Sequence, residues 1–294
     1  MKRFIIAFII ILFLSLIFSV LYLMLSVNKL DNRIDTLTQV IRDMRSEKQN
    51  ISGTSENTDF DDEAVRAAQA AEEYNRTAEE NLANAEDTLK VYLTFDDGPS
   101  GNSDRILDIL DDYNVKATFF VNGRTDDHSM AVYKRIVDEG HTIAMHSYTH
   151  KYSEIYKNLE NFTADLEKIQ NLIYEATGVE STIYRFPGGS SNGVSSTDMS
   201  VFIQFLNEHG IKYFDWNVAS GDATNLPYTS SDLIENVMSD VVKYKTSVVL
   251  MHDADNKMAT VEALPELIEL LQEQGALILP ISEDTTLIQH VTIQ

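Results

Sequence analysis

Beyond residue 90 the chain alternates between two hydrophobic rhythms. Short unbroken apolar runs, rich in β-branched and aromatic side chains, predict buried strands near Val91–Phe95, Ala117–Val121, Thr142–Met145, Ile183–Phe186, Ile211–Phe214, Ser247–Met251 and Ala276–Leu279. Between them apolar residues recur every three or four positions. That rhythm predicts helices near Ser103–Tyr113, Met130–Glu139, Asn158–Thr177, Thr197–His209, Ser231–Tyr244 and Ala259–Gln274. Gly140, Gly178, Gly210 and Gly275 each sit just past a helical stretch, where C-terminal caps belong. The repeating strand–helix order implies an α/β domain with a parallel sheet, open or closed into a barrel.

The first third has a different pattern. Lys2 and Arg3 precede an uncharged apolar run from Phe4 to Val27, long enough to cross the ~30 Å hydrocarbon core as a helix. No small-residue cleavage site of the A-x-A kind follows it. Residues 1–28 are therefore expected to be a cytoplasmic stub and retained transmembrane signal anchor, with the rest of the chain outside the cell. Leu30, Ile34, Leu37, Ile41 and Met44 then form an a/d seam of barely two heptads within an amphipathic stretch at 29–47. It is either a solvated helix or a weak homodimer contact. Residues 48–88 combine a Ser- and Asn-rich linker with an Ala- and Glu-rich stretch that favours helix, expected to act as a spacer below a domain at 89–294.

Composition narrows the chemistry. All five Pro, and every Gly but Gly53, lie beyond residue 90, in keeping with a single folded domain there. The formal net charge of −23 argues against nucleic acid as a partner. Cysteine is absent, so disulfides and Cys-ligated zinc are excluded, and any metal must be held by His and carboxylates.

Candidate chemistry recurs at the carboxyl ends of the predicted strands, where parallel α/β folds place their sites. VYLTFDDGP ends a buried run in two adjacent carboxylates, Asp96 and Asp97, which repel each other and call for a metal or a cation. In HSYTH, His146 and His150 stand at i, i+4, a spacing that brings both imidazoles to one face of a helical turn. Arg185 in RFPGGS and His252 in VVLMHD follow further apolar runs.

Taken together and in this order, TFDDGP, HSYTH, RFPGG and LMH resemble the polysaccharide deacetylases of carbohydrate esterase family four, over roughly residues 90–285. The resemblance implies a distorted (β/α)7-type barrel. It implies Asp96 as general base, with Asp97, His146 and His150 as ligands of one divalent metal. Two His and one carboxylate suit Zn2+, with Co2+, Mn2+ or Ni2+ as alternatives. It also implies that Arg185 pairs with Asp96, that the Gly188 backbone N–H faces the oxyanion, and that Leu250 faces the acetyl methyl. His252 would be the general acid, supported by Asp222 in WNVASGDA.

Two departures stand out. The family usually has Tyr where this chain has Gly188, and Trp after the Asp where this chain has Ala223. The only Trp, Trp216, is then either a sugar-contacting wall or core, with core the favoured expectation. His141 is expected to be a satisfied structural histidine, and Asp253 and Asp255 loop carboxylates. The expected function is a membrane-anchored, extracytoplasmic, metal-dependent N-deacetylase of a GlcNAc-containing cell-wall polymer, peptidoglycan first. Chitooligosaccharide, poly-N-acetylglucosamine or acetylated xylan are alternative substrates. A non-catalytic wall-binding scaffold is the rival of another class.

Overall fold

Along β1 (Lys90–Asp96) the side chains alternate between two faces, as a strand requires. Val91, Leu93 and Phe95 join the large core beneath the helices, while Tyr92 joins a smaller inner cluster with Phe120, Ala144, Ile183, Phe214, Val248 and Ile281. Asp96 keeps the phase of Tyr92 and Thr94, so the strand's period delivers its carboxylate to the inner face, above that apolar plug. The same phase carries His146 beyond Ala144, and Leu250 and His252 beyond Val248.

The computed structural model describes residues 88–293, Asn225 excepted. The strands that follow β1 are β2 (Thr118–Asn122), β3 (Thr142–Ser147), β4 (Ile183–Tyr184), β5 (Lys212–Tyr213), β6 (Val218–Ala219), β7 (Thr246–His252) and β8 (Leu277–Ile278). The helices are α1 (Ser103–Asp112), α2 (Asp127–Asp138), α3 (Tyr152–Ile155), α4 (Leu159–Thr177), α5 (Met199–Glu208), α6 (Ser230–Val241) and α7 (Met258–Glu273). The strand order is β5-β4-β3-β2-β1-β7-β6, with β8 against the start of β1, and every pairing is parallel. Among the described residues β5 and β6 share no ladder, so the sheet is a half-barrel with a seam between them.

The C-terminal segment occupies that seam. The Asp215 N–H donates to the Ile288 carbonyl at 2.7 Å. Gln289 Nε2 donates to the Tyr213 carbonyl at 3.1 Å, and the Tyr213 hydroxyl donates to the Val291 carbonyl. These bonds satisfy backbone that a closed barrel would pair between strands.

The predicted elements recur with shifts that have local causes. α2 begins at Asp127, before the expected Met130, because the Asp126 side chain accepts from the Ser129 N–H at 3.0 Å and caps the helix. α5 begins at Met199 because Asp198 caps it through the Ser200 N–H. β6 was not expected, since Val218–Ala219 lies between Asn217 and Ser220 and so gives no apolar run. Among the described residues no helix is long and apolar enough to cross a membrane. The expected span at 4–27, the seam at 30–44, the linker and the spacer lie outside the described residues.

Candidate metal centre and active site

Asp96 and His252 close their strands as register partners across β1 and β7, so one rung of the sheet sets both at the same level. Asp96 is buried, and its Oδ1 accepts from Arg185 Nη1 at 2.7 Å. Arg185 follows β4 and has no exposed surface. Nη1 also donates to Thr94 Oγ1 at 2.7 Å, while Nε and Nη2 each donate at 3.0 Å to the carbonyls of Phe214 and Asp215. The guanidinium carbon stands 4.0 Å from the centre of the Phe120 ring. A buried charge is tolerated only when so fully partnered, and the arrangement spends one oxygen of Asp96 while leaving Oδ2 for other work.

Asp97, His146 and His150 come together from three places in the chain. Each offers one ligand atom, and these atoms lie within 4.8 Å of one another. The two imidazoles do not share a helical turn, as their spacing predicted. His146 belongs to β3, and His150 sits in the loop beyond it at φ 51°, with Asp97 likewise at φ 78°. Side-chain residues hold the left-handed region only where the surroundings impose it. For His150 the surroundings are Asp165 of α4. Its Oδ2 accepts from Ser147 Oγ at 2.7 Å and the Tyr148 N–H at 2.8 Å; its Oδ1 accepts from the Thr149 N–H at 2.9 Å and Thr149 Oγ1 at 2.8 Å. For Asp97 they include Asn122, whose amide reaches Oδ1 at 3.1 Å.

These residues fit a divalent cation. His146 Nδ1 lies 2.8 Å from the Arg185 carbonyl, which assigns the proton to Nδ1 and turns the Nε2 lone pair towards Asp97. Burial pushes the His146 imidazole below its ordinary pKa against the pull of Asp96 and Asp97, a shift towards the neutral form. Burial also disfavours a charged Asp97, but the facing His146, His150 and His252 together with Asn122 outweigh it and hold the carboxyl below its usual range. A neutral imidazole and an anionic carboxylate are the forms a metal takes.

His252 is oriented from behind. Its Nδ1 lies 2.8 Å from Asp222 Oδ1, and its backbone N–H donates to Asp222 Oδ2 at 2.7 Å. That oxygen also accepts from Thr260 Oγ1 at 2.9 Å. Burial favours a neutral imidazole, yet the Asp222 hydrogen bond and charge, helped by Asp96 and Asp97, leave the His252 pKa above its ordinary value. Nε2 is then the ring atom left for a ligand.

Asp96, Asp97, His146, His150 and His252 line one cavity of about 350 Å³, together with Tyr152, Gly188, Trp216, Ala223, Leu250 and Lys257. Trp216 is neither purely core nor purely wall. It is half-buried, packs on the inner apolar cluster and lines the cavity. Ala223 lines the cavity and is exposed, so the wall expected there is missing.

The remaining expectations hold in part. Asp253 does lie in a loop, beyond the end of β7, but it is 1% exposed and accepts from Ser100 Oγ and Ser103 Oγ, both at 2.5 Å. It also explains the glycine of DDGP, since a Cβ on Gly98 would fall 2.4 Å from Asp253 Oδ2. Asp255 is exposed and accepts from the Gly101 N–H at 2.7 Å. His141 is only half satisfied. Its Nδ1 accepts from the Ala117 N–H at 3.0 Å, its Nε2 makes no hydrogen bond, with Glu139 Oε2 3.8 Å away, and burial lowers its pKa to about 4. Asp165, Lys257 and Tyr152 were not anticipated. Lys257 donates to the Asp222 carbonyl at 2.6 Å, and nothing in its sequence context marks it.

Residues 83–216 match the family model for polysaccharide deacetylase. A putative polysaccharide deacetylase of Bacillus subtilis is 34% identical over 192 residues, 63% of this chain and 64% of that relative, so the chain spans a little under two thirds of its length. A peptidoglycan-N-acetylglucosamine deacetylase of Bacillus cereus is 32% identical over 207 residues, 69% of this chain and 72% of the relative. Among solved structures, the catalytic domain of peptidoglycan N-acetylglucosamine deacetylase from Eubacterium rectale superposes with a TM-score of 0.67 at 39% identity, covering 70% of this chain and 94% of that one.

Proposed function

This chain belongs to the polysaccharide deacetylase family, and from that premise we propose that it hydrolyses the N-acetyl groups of N-acetylglucosamine in a cell-wall glycan, peptidoglycan first. The observation that carries the reading is the convergence of Asp97, His146 and His150 beside Asp96 and His252 in one cavity. Asp97, His146 and His150 would hold one divalent cation, with Zn2+ favoured by the donor set and Co2+, Mn2+ or Ni2+ compatible with it. When bound, that cation supplies Lewis-acid charge for the acetyl oxygen and acidifies water.

The chain's own groups supply the rest. Asp96 Oδ2 receives the proton of the attacking water, because Oδ1 is committed to Arg185. The Gly188 N–H faces the oxygen on which charge develops. Leu250 and Trp216 shape the wall that excludes water around the acetyl group. His252 Nε2 gives a proton to the departing amine, and Asp222 fixes the tautomer. We assign residues 4–27 to a single membrane span that holds the domain outside the cell against the wall, with the seam at 30–44 the place for any self-association.

Two outcomes test this reading. Chelation of the full chain is expected to abolish acetate release from peptidoglycan, and reloading with each metal in turn to restore it and rank the metals. Release from acetylated xylan or chitooligomers, with none from peptidoglycan, would move the substrate assignment. Asp222→Asn is expected to shift the alkaline limb of the kcat/KM profile to lower pH. The acid must be protonated to act, and activity falls as pH rises through its pKa. Removing the charge that raises the His252 pKa brings that fall earlier. An unmoved limb would take the general acid role away from His252.

A further inference from the structure

Tyr152 stands where a second donor to the oxyanion would have to be. It opens α3 directly after the ligand loop, and its ring is held between His150, centroids 5.5 Å apart, and Tyr156, stacked at 5.9 Å. Tyr156 is itself buried, with its hydroxyl donating to the Pro187 carbonyl at 2.8 Å, so the base under Tyr152 is tied to the loop that carries Gly188. The ring lines the cavity and is 37% exposed. Among the described residues its hydroxyl has no hydrogen-bond partner, so it is free to donate into the cavity.

Gly188 shows what that hydroxyl is aimed at. A Cβ built on Gly188 would lie 3.2 Å from Tyr152 Oη, and Gly188 has φ +78°, where a side chain is strained. Glycine at 188 therefore leaves the space beside its own amide to the phenol of Tyr152. A Cβ and its amide nitrogen share one Cα, so Oη lies within about 6 Å of the Gly188 nitrogen. That is the span one acceptor bridges between two donors at ~2.9 Å each.

We propose that Tyr152 is a catalytic residue of this chain, its O–H donating to the acetyl oxygen alongside the Gly188 N–H as that oxygen gains negative charge. The inference rests on the deacetylase reading and adds to it a side-chain donor. It explains how a site with glycine at 188 keeps two fixed donors at the oxyanion. The donor costs nothing in the ground state, because a neutral carbonyl accepts more weakly than an oxyanion.

The test is Tyr152→Phe in the full chain loaded with the same metal as the wild type. It keeps the ring, the packing and the wall, and removes only the donor. The expected result is a fall in kcat of about 10²-fold on N-acetylglucosamine oligomers. KM should stay within about twofold and metal content and melting temperature unchanged, as the loss of a transition-state interaction requires. Affinity for a tetrahedral methylphosphonamide analogue of the substrate should weaken by a similar factor, and affinity for the glucosamine product should not. Wild-type kcat in the Phe variant, or a loss accounted for by departed metal or by KM alone, overturns the assignment while leaving the deacetylase reading intact. A wild-type chain that releases no acetate from any acetylated glycan overturns both.

Discussion

Asp96→Asn is expected to lower the rate of acetate release by about 10²–10⁴-fold, the usual contribution of a positioned general base. Asn is nearly isosteric and its amide oxygen can still accept from Arg185 Nη1, so the geometry survives while the proton acceptor is lost. Stability should fall as well. Arg185 has no exposed surface, and removing the partner of a buried charge costs about 3–5 kcal/mol when nothing else compensates. Here Thr94 Oγ1, the Phe214 and Asp215 carbonyls and the face of Phe120 remain, which places the loss at or below the lower end of that range. Steady-state kinetics and denaturant unfolding measure the two effects separately. A variant that unfolds more easily but keeps more than a tenth of wild-type kcat would make Asp96 a structural partner of Arg185 and not the base.

The predicted β1, β2, β3 and β7 runs were legible because a buried parallel strand needs a continuous apolar run, and the chemical groups follow those runs directly in the chain. Asp96, Asp97, His146, Arg185 and His252 are therefore legible in the sequence as residues at or just past strand tips. What was hidden is what acts at a distance. Asp165 lies in the middle of an amphipathic helix, where a carboxylate reads as solvated, and its partners at 147–149 stand more than a turn of any helix away. Asp253 was legible as a loop residue but not as a buried one, because the two serines that satisfy it, one opening α1 and one in the turn before it, lie 150 and 153 residues distant in sequence. The i, i+4 spacing of His146 and His150 misled because a strand end followed by a left-handed turn can converge two imidazoles as well as a helix can. Sequence spacing constrains distance along the chain, and here tertiary contacts from α4 decide direction.

That dependence makes Asp165→Ala the sharper test of how the centre is built. The carboxylate accepts from two backbone N–H groups and two hydroxyls, all within residues 147–149, and so folds the loop that hands over His150. Truncation leaves those donors without an acceptor in a buried position. A hydrogen bond to a charged group contributes about 1.5–3 kcal/mol, and a buried donor left unmade costs ~1–3 kcal/mol more, so a loss of at least about 3 kcal/mol is expected. Asp165→Asn should rescue little, because its NH2 group would face the N–H donors that the lost oxygen served. With the loop released, His150 keeps only its N–H bond to Ser147 Oγ and its packing on Tyr152 to hold it at φ 51°, and affinity for the metal is expected to fall by 10–100-fold, the usual consequence of removing a group that orients a ligand. Competition with a chelator of known affinity measures that fall directly. Under saturating metal the variant should regain much of its kcat, since Asp165 touches neither substrate nor cation. An Ala variant that binds metal as tightly as the wild type would show that β3 and α3 alone fix His150, and that the four bonds of Asp165 serve only the stability of the fold.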